Sequence, residues 1–429
     1  MMSASLVIIA CSLYALYYLL RVVKRPKLVG GHGFCRFLEL HCPFATQTYY
    51  PTFWCFEGRL NTLMRPLLKR FWHVSYRREL IDTPDGGQLS LHWLDNDESE
   101  HWPDVECRPT VIFLPGLTGT SQESYLVSLV RQVQQRGYRC IVFHNRGLGG
   151  AKLLTPRTYS GANTDDLETV VCHVKKLHPS APLLATGISL GGNIVLNYLG
   201  KSGCQSGLLA AVSLCPSWDA VESIAFRWLD WLLFNGYITR HYLNFVRRHR
   251  DVLQKRFDVD YILQSKSVWE FDDRFTAVMF GYPSTQQYHY DASPCHKITS
   301  FKTPVLVLNS TDDPFNPKHN GTTKTVKPMP CSTLHITITP NFWDVCAISI
   351  AKPYFERLRL SMLTSPALPL AQARENPYVA LVVTSRGGHI GFLEGAFPRN
   401  DSYMDRIFGQ FCSAAFEHRE ELTAACQPP

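Results

Sequence analysis

The chain alternates short, mostly apolar runs with longer segments of helical period. The apolar runs lie at 110–115, 140–144, 182–188, 208–214, 304–309 and 378–384. A mostly apolar run of this length is typical of a strand that is buried on both faces. Helical patterns fall between and after these runs, over 121–136, 165–176, 190–199 and 403–419. Strands that alternate with helices predict an α/β fold, with a mostly parallel sheet flanked by helices.

Two further segments are predicted, a hairpin that belongs to the core and a helical cap. Residues 77–94 read as two strands around a Pro-Asp-Gly-Gly turn, and they open the first part of the core, 77–215. Residues 216–296 have helical period and crowded aromatic side chains, which predicts a helical cap inserted between two core strands. The second part of the core then covers residues 297–425.

Residues 25–76 are predicted to form an irregular lead-in, rich in aromatic and basic residues. From Arg59 to Trp72, basic side chains mix with large apolar ones. This mixture fits an amphipathic stretch that lies on lipid headgroups. It fits a solvated helix packed on the core equally well, so both interpretations stay open.

The N-terminal segment 1–24 has the features of a membrane-spanning helix. Residues 1–20 contain no charged side chain, and this length spans the hydrocarbon core of a bilayer as a helix. Arg21 and Lys24 follow at once, whereas a cleaved signal peptide has its charge before the apolar run. We therefore predict an uncleaved transmembrane anchor, and the positive-inside rule places the rest of the chain in the cytoplasm. A lumenal domain and a helix docked on the protein itself are the alternatives.

Composition narrows the class of protein. The 429 residues are 45% hydrophobic and 18% charged, which excludes a disordered chain and a small disulfide-stapled domain. The net charge of +7 is mild, and its placement fits a membrane surface better than nucleic acid. The 14 cysteines include no CxxC pair and no zinc spacing, so we expect reduced thiols and no metal site.

A candidate nucleophile lies where a predicted buried strand meets a predicted helix. Residues 187–191 read Gly-Ile-Ser-Leu-Gly and match the G-x-S-x-G nucleophile elbow. In this elbow the serine lies on a strained turn, and the flanking glycines remove side chains that would clash. The pattern assigns Ser189 as the nucleophile. The alternative is an ordinary serine at a helix N-cap.

A serine hydroxyl needs a base within hydrogen-bond reach, and an acid that orients the base. His389 follows the last predicted strand and lies among glycines, so we assign it as the base. Two adjacent aspartates, Asp312 and Asp313, follow the strand at 304–309 and compete for the third position. We choose Asp313, because D-x-x-x-P after a strand is the usual form of this loop in related hydrolases. Asp312 is the alternative.

Two backbone N–H groups should face the oxyanion of a tetrahedral intermediate. The N–H of Leu190, directly after the nucleophile, is one candidate. The second should come from the glycine-containing loop after the strand at 110–115, where Leu117 is the best placed residue. A simple turn is the alternative interpretation of that loop.

Longer motifs carry a family resemblance. They read YYPTFWCFEGRL, LPGLTGTSQESY, HNRG, GISLGGN, NSTDDPF and GGHIGFLEG. In this order they resemble the α/β-hydrolase-domain lipases, and most closely the membrane-anchored AB hydrolase 4 family. The resemblance implies the α/β-hydrolase fold, with Ser189, Asp313 and His389 as the catalytic triad. It also implies a carboxylesterase or lipase that acts on acylglycerols or phospholipids without a cofactor.

One segment departs from the family pattern. Asp313 and His389 are 76 positions apart, whereas one loop, one helix and one strand need roughly 25–35 residues. The expected helix and strand are recognisable at 368–384. Residues 319–366 are therefore predicted to be an unusual insertion in the loop that carries the acid.

Together these features predict a membrane-anchored serine hydrolase that cleaves lipid esters through an acyl-enzyme intermediate. Its expected partners are a lipid ester and a membrane, and we expect it to bind neither nucleic acid nor a metal ion. The expected location is the endoplasmic reticulum. One alternative is a catalytically silent module that binds lipid or a protein. Another is a hydrolase of small soluble esters.

Overall fold

A computed structural model describes residues 4–68, 73–117, 119–224, 228–316 and 368–427 of the chain. A nine-stranded sheet lies at its centre. The strands are β1 (Lys27–Gly30), β2 (Arg77–Asp82), β3 (Gln88–Leu94), β4 (Thr110–Leu114), β5 (Arg139–His144), β6 (Leu183–Ile188), β7 (Ala210–Leu214), β8 (Val305–Ser310) and β9 (Val379–Thr384).

The strands are ordered β1-β9-β8-β7-β6-β4-β5-β3-β2 across the sheet. Those from β4 to β9 run parallel to their neighbours within that group. The remaining three pair in antiparallel fashion at the two edges. Every residue of β4 to β9 is buried, as the mostly apolar runs predict. The six predicted core strands and the predicted hairpin are confirmed.

Helices cover both faces of the sheet and form the cap. They are α1 (Ala4–Tyr17), α2 (His32–His41), α3 (Gly58–Leu68), α4 (Ser124–Gln134), α5 (Asp165–Leu177), α6 (Leu190–Ser202), α7 (Ala220–Ile224), α8 (Trp228–Asp230), α9 (Gly236–Arg248), α10 (Arg250–Leu253), α11 (Val259–Leu263), α12 (Val268–Phe271), α13 (Ala277–Met279), α14 (Thr285–Ala292), α15 (Leu370–Glu375), α16 (Tyr403–Glu417) and α17 (Arg419–Ala425). The described residues between β7 and β8 are thus mainly helical, as predicted for the cap.

Apolar side chains pack on the sheet in two separate cores. One core joins α2, α4 and α16 to the sheet and includes the fully buried Phe34 and Phe408. The other core joins α5 and α6 to the sheet and includes Val170 and Val195. A further cluster around Phe275 lies mainly within the cap and also includes Leu153. Burial of one such side chain stabilises the fold by roughly 1.5–3 kcal/mol.

The expectation of an irregular lead-in was wrong for residues 27–41. Strand β1 pairs with β9, with Lys27 opposite Val383 and Gly30 opposite Ala380, and helix α2 follows it directly. The strand has four residues, and of these only Val29 is buried. A segment this short has no repeating pattern, so its sequence carried no signal for a strand.

Helix α3 has an inverted distribution of side chains. Asn61 and Arg65 are buried, whereas Leu63 and Leu67 of the same helix are exposed. The polar face therefore packs on the protein, and the apolar face is open. Of the two interpretations of this stretch, the structure shows packing on the protein, through the polar face, and contact of the open face with lipid headgroups stays a prediction. Residues 69–72 of the predicted stretch lie outside the described part of the chain.

Among the described residues, one helical segment is long and apolar enough to cross a membrane. The window Ser5–Val22 has a mean hydropathy of 1.8, and 6% of it is buried. It consists of α1 and a π-helical turn at Tyr18–Val22. This low burial argues against a helix docked on the protein itself, and it leaves the segment a candidate membrane anchor.

The predicted insertion at 319–366 lies outside the described residues. The described residues begin again at 368. Helix α15 and strand β9 follow, as expected for 368–384. The predicted domain boundaries remain predictions.

Candidate active site

Ser189 lies between the end of β6 and the start of α6, with φ 54° and ψ −118°. A residue other than glycine rarely adopts such a conformation. A Cβ atom on Gly187 would lie 2.2 Å from the carbonyl oxygen of Gly191. A Cβ atom on Gly191 would lie 2.1 Å from the carbonyl oxygen of Leu114, so both positions require glycine. The turn therefore has the strained, glycine-flanked geometry that the motif predicts.

Three side chains from distant parts of the sequence meet at the carboxyl edge of the sheet. Nε2 of His389 lies 2.9 Å from Oγ of Ser189. Nδ1 of His389 lies 3.0 Å and 3.2 Å from the two carboxylate oxygens of Asp313. His389 and Asp313 are both buried. The imidazole thus contacts the hydroxyl through one nitrogen and the carboxylate through the other.

The two adjacent aspartates have different contacts. Asp313 contacts the imidazole, whereas Oδ1 of Asp312 accepts a hydrogen bond from the backbone N–H of Gly388 at 2.9 Å. Nη1 of Arg386 lies 3.7 Å from the other oxygen of Asp312. Burial raises the pKa of Asp312 to about 6. Of the two candidates, the geometry favours Asp313 as the partner of the histidine.

The two candidate oxyanion residues lie on the wall of one cavity with Ser189. Leu190 is the first residue of α6, where backbone N–H groups have no partner within the helix. Leu117 follows β4, and its carbonyl oxygen accepts a hydrogen bond from the hydroxyl of Tyr159 at 3.0 Å. The hydroxyl of Tyr125 accepts a hydrogen bond from the N–H of the preceding glycine at 3.0 Å. Both tyrosines thereby orient the loop after β4.

The cavity has a volume of about 500 Å³, and Ser189 and His389 lie in its wall. Its apolar wall comes from several parts of the chain, among them α3 and the cap. The cap supplies most of the aromatic and aliphatic side chains, among them Leu233, Phe234, Tyr237 and Ile238. A cavity of this size and character suits an acyl chain or another apolar group next to the candidate nucleophile.

An ion pair joins α3 to the cap, which both contribute to the cavity wall. The guanidinium of Arg59 in α3 donates to both carboxylate oxygens of Asp230, the last residue of α8, at 2.5 Å and 3.2 Å. Asp230 is 2% exposed, and Arg59 also contacts Glu57. A bidentate contact of this kind fixes relative orientation as well as distance. It therefore fixes α3 relative to the start of the cap.

Cys215 lies beside the histidine and was not singled out from the sequence. It follows β7 with φ 53°, it is fully buried, and its Sγ accepts a hydrogen bond from the N–H of Ile390 at 3.2 Å. Potential ligand atoms of Cys215, Asp313 and His389 lie within 4.8 Å of one another. Burial raises the pKa of the thiol well above its ordinary value, and a thiol is a poor metal ligand. This group therefore fits a hydrogen-bonded support better than a metal site.

A second group of potential metal ligands lies at His41, His418 and Glu421. The two imidazole rings stack with centroids 3.9 Å apart, and Nε2 of His41 lies 2.6 Å from a carboxylate oxygen of Glu421. The arrangement fits a charge-assisted hydrogen bond.

Comparison with known families agrees with this architecture. A family model described as alpha/beta hydrolase fold matches residues 109–343, which is more than half of the chain. The chain therefore belongs to the α/β-hydrolase family.

Relatives extend the similarity over nearly the whole length. Human "Phospholipase ABHD3" is 47% identical over 414 residues, which cover 96% of this chain and 90% of that protein. Human "Monoacylglycerol lipase ABHD2" is 26% identical over 403 residues, which cover 89% of this chain and 83% of that protein. A solved esterase of Pyrococcus furiosus is 16% identical with a TM-score of 0.40, over 73% of this chain and 83% of that one. The fold and the sequence relatives make this chain a carboxylic ester hydrolase.

Proposed function

We propose that the chain is a membrane-anchored serine hydrolase of lipid esters, with Ser189, His389 and Asp313 as its catalytic triad. The observation that carries this proposal is the pair of contacts made by one imidazole, at 2.9 Å to the hydroxyl and 3.0 Å to the carboxylate. These are the distances at which a base activates a serine and an acid orients the base.

In the first half of the reaction, Oγ of Ser189 attacks the acyl carbonyl while Nε2 of His389 accepts its proton. Asp313 accepts a hydrogen bond from Nδ1, so it fixes the imidazole tautomer and stabilises the imidazolium. The backbone N–H groups of Leu117 and Leu190 donate to the oxyanion. The imidazolium then protonates the leaving alcohol, and an acyl-enzyme remains.

In the second half, His389 takes a proton from water, which attacks the acyl-enzyme. The proton returns to Oγ of Ser189 as the tetrahedral intermediate collapses. The products are a carboxylic acid and the free enzyme. Each proton in this cycle moves through the same imidazole, and no cofactor enters the chemistry.

We propose acylglycerols or phospholipids as the substrate class. The apolar cavity wall beside Ser189 supports a long acyl group, because an apolar chain gains free energy when it leaves water. Relatives carry the names phospholipase and monoacylglycerol lipase, in agreement with such a substrate.

The N-terminal helix is proposed to span the membrane of the endoplasmic reticulum. The hydroxyls of Tyr14 and Tyr18 donate to the carbonyl oxygens of Phe53 and Pro51 in the segment that leads to α3. The exposed apolar face of α3 would therefore lie close to the bilayer surface. A lipid could then reach the cavity without crossing bulk water.

The catalytic domain is proposed to lie in the cytoplasm. Basic residues directly after the apolar segment support this orientation. Asn309 begins one N-x-S/T sequence, but it is fully buried and its Oδ1 accepts from the indole of Trp218 at 3.0 Å. Asn400 begins another and is exposed. A cytoplasmic domain should carry no glycan at Asn400, and a glycosidase-sensitive mass shift there would contradict this orientation.

Turnover in vesicles tests the catalytic part of the proposal. Purified full-length protein, reconstituted in phosphatidylcholine vesicles that contain monoacylglycerol, should release fatty acid, and Ser189→Ala should not. A short p-nitrophenyl ester provides a second substrate. If wild type and Ser189→Ala are equally inactive on both substrates, the chain is a silent binding module.

Removal of residues 1–24 tests the membrane part. The shortened protein should keep its activity on a soluble p-nitrophenyl ester and lose activity on vesicles. Unchanged vesicle activity would favour a hydrolase of small soluble esters and remove the main support for the anchor.

A further inference from the structure

The loop that carries His389 has an unusual backbone. We call residues 385–394, between β9 and the segment before α16, the histidine loop. Ile390 has φ 63° and Phe392 has φ 48°, so two non-glycine residues of this loop lie in the left-handed region. Such conformations persist where the surrounding structure imposes them. The contacts that impose them come largely from outside the loop.

Helix α3 contacts the backbone of the catalytic histidine directly. The N–H of His389 donates a hydrogen bond to Oγ1 of Thr62 at 2.8 Å, and the hydroxyl of Thr62 donates to the carbonyl oxygen of Gly58 at 2.8 Å. The hydroxyl is thus both donor and acceptor. Its own position is fixed within α3, and it fixes the residue that bears the imidazole.

Two buried neighbours on the same helix contact the next residues of the histidine loop. Nη1 of Arg65 donates to the carbonyl oxygen of Gly391 at 2.8 Å. Oδ1 of Asn61 accepts from the N–H of Leu393 at 3.3 Å, and its Nδ2 donates to the carbonyl oxygen of Cys55 at 2.6 Å. Residues 61, 62 and 65 lie on one face of the helix, since residues three and four apart share a face.

The first turn of α3 also contacts the residue before the catalytic acid. A Cβ atom on Gly58 would lie 2.1 Å from the carbonyl oxygen of Asp312. A Cβ atom on Gly388 would lie 2.1 Å from the carbonyl oxygen of Gly58. The backbones of the acid loop, α3 and the histidine loop are therefore in direct contact, with glycine at both points of approach.

We propose that Asn61, Thr62 and Arg65 are positioning residues that align the imidazole of His389 with Ser189. This inference rests on the proposed function, and it deepens that function by assigning a role to a helix outside the α/β core. The side chain of Thr62 acts through the backbone of His389 and takes no part in bond making. A displacement of about 1 Å in a catalytic group can lower a rate about 100-fold.

Thr62→Val tests the proposal most directly. Valine has nearly the same shape as threonine, so the cavity wall is kept, but it cannot accept the hydrogen bond from His389. We expect kcat for a p-nitrophenyl ester to fall about 10- to 100-fold, with KM close to that of wild type, because the imidazole is displaced from the serine. Thr62→Ser keeps the acceptor and should restore most of kcat.

A matched control exists on α5. The hydroxyl of Thr169 donates to the carbonyl oxygen of Asp165 at 2.9 Å, the same contact with the fourth preceding residue that Thr62 makes with Gly58. Thr169→Val removes that contact at a position away from the cavity, and kcat should not change. Thermal unfolding of each variant separates a loss of alignment from a loss of folded protein.

The kcat values of Thr62→Val and Thr62→Ser decide whether Thr62 has the positioning role. Wild-type kcat in Thr62→Val, or an equal loss in Thr62→Ser, would overturn the positioning role. If Thr62→Val does not fold, Thr62→Ala, which leaves space for a water molecule, replaces it under the same criteria. An inactive wild type would instead contradict the proposed function.

Discussion

The nucleophile elbow and the histidine loop present two halves of one candidate site, and they are built differently. Ser189 is fixed by its own neighbourhood, because β6, α6 and two flanking glycines force the turn. His389 is fixed by residues from the other end of the chain, and its contact with Thr62 spans 327 positions. The elbow depends on backbone packing, whereas the loop depends on polar side chains of α3 in addition to backbone packing.

This difference shows how polar contacts add to apolar packing in fixing a short, strained loop, since Phe392 of the loop is itself buried in the core. Arg65 is 2% exposed and donates to Gly391, Ser402 and Asp405 in one network. Hydrogen bonds have strict geometry, so such a network specifies position more sharply than apolar contact does. The same network is sensitive to the loss of one member, since a buried polar group without a partner is destabilising.

The largest expected effect comes from the acid that orients the imidazole. Asp313→Asn should lower kcat about 10⁴-fold, because the amide cannot fix the required tautomer. Steady-state kinetics on a p-nitrophenyl ester would measure the effect.

The neighbouring aspartate provides the control for that measurement. Asp312→Asn keeps an oxygen that can accept from Gly388 and should retain most of kcat. If the two variants lose equal activity, or if the loss is larger at Asp312, the assignment of the acid is wrong.

Next in size is the loss of the buried network under the histidine loop. Arg65→Met should destabilise the folded protein by about 3–5 kcal/mol, because Asp405 would remain buried without this cation. Urea denaturation would measure the change.

An exposed ion pair offers the comparison for Arg65. Arg77 contacts Asp95 at 2.9 Å with more than half of its side chain exposed, so Arg77→Met should cost at most about 1 kcal/mol. Equal effects at both positions would contradict a special role for the α3 network.

A smaller effect concerns pH. The folded-state pKa of Asp312 is about 6, above its ordinary value of 3.8. Between these values the folded state binds the proton more tightly than the unfolded state does, so stability falls as pH rises through this range. The contribution is about 1–3 kcal/mol. Denaturant midpoints at pH 4 and pH 7 should show a smaller stability decrease in Asp312→Asn than in wild type. An unchanged pH difference would show that this carboxyl does not titrate there.

The smallest effect on stability is expected on the open face of α3. Leu67 is 74% exposed, so Leu67→Ser should change the free energy of unfolding by less than about 0.5 kcal/mol. Hydrolysis of lipid in vesicles should nevertheless fall, while hydrolysis of a soluble ester should not. Leu177→Ser, an exposed leucine on α5, is the control. Equal vesicle activity in both variants would argue against contact between this face and lipid.

The sequence predicted the parts of the fold that follow from repeating patterns. Strands β4 to β9 are mostly apolar runs, so their burial and their alternation with helices could be inferred directly. The serine, histidine and acid candidates could be inferred because each follows such a strand. The choice between Asp312 and Asp313 rested on loop form, and the geometry favours the chosen residue.

The rest depended on contacts that no local pattern reports. Strand β1 is four residues long, and α3 buries its polar face, which reverses the usual amphipathic signal. Cys215 is one of 14 scattered cysteines, and no sequence pattern distinguishes its position after β7. The proposed role of Thr62 depends on its hydrogen bond with His389, and the sequence does not reveal that contact.

The site at which a fluorophosphonate probe bonds to the protein decides whether Ser189 is a nucleophile activated by His389. Peptide mass spectrometry of labelled wild type should find the adduct on Ser189, and labelling should be nearly absent in His389→Ala although that variant keeps the serine. An adduct on another residue, or equally rapid labelling of wild type and His389→Ala, would contradict the proposed triad.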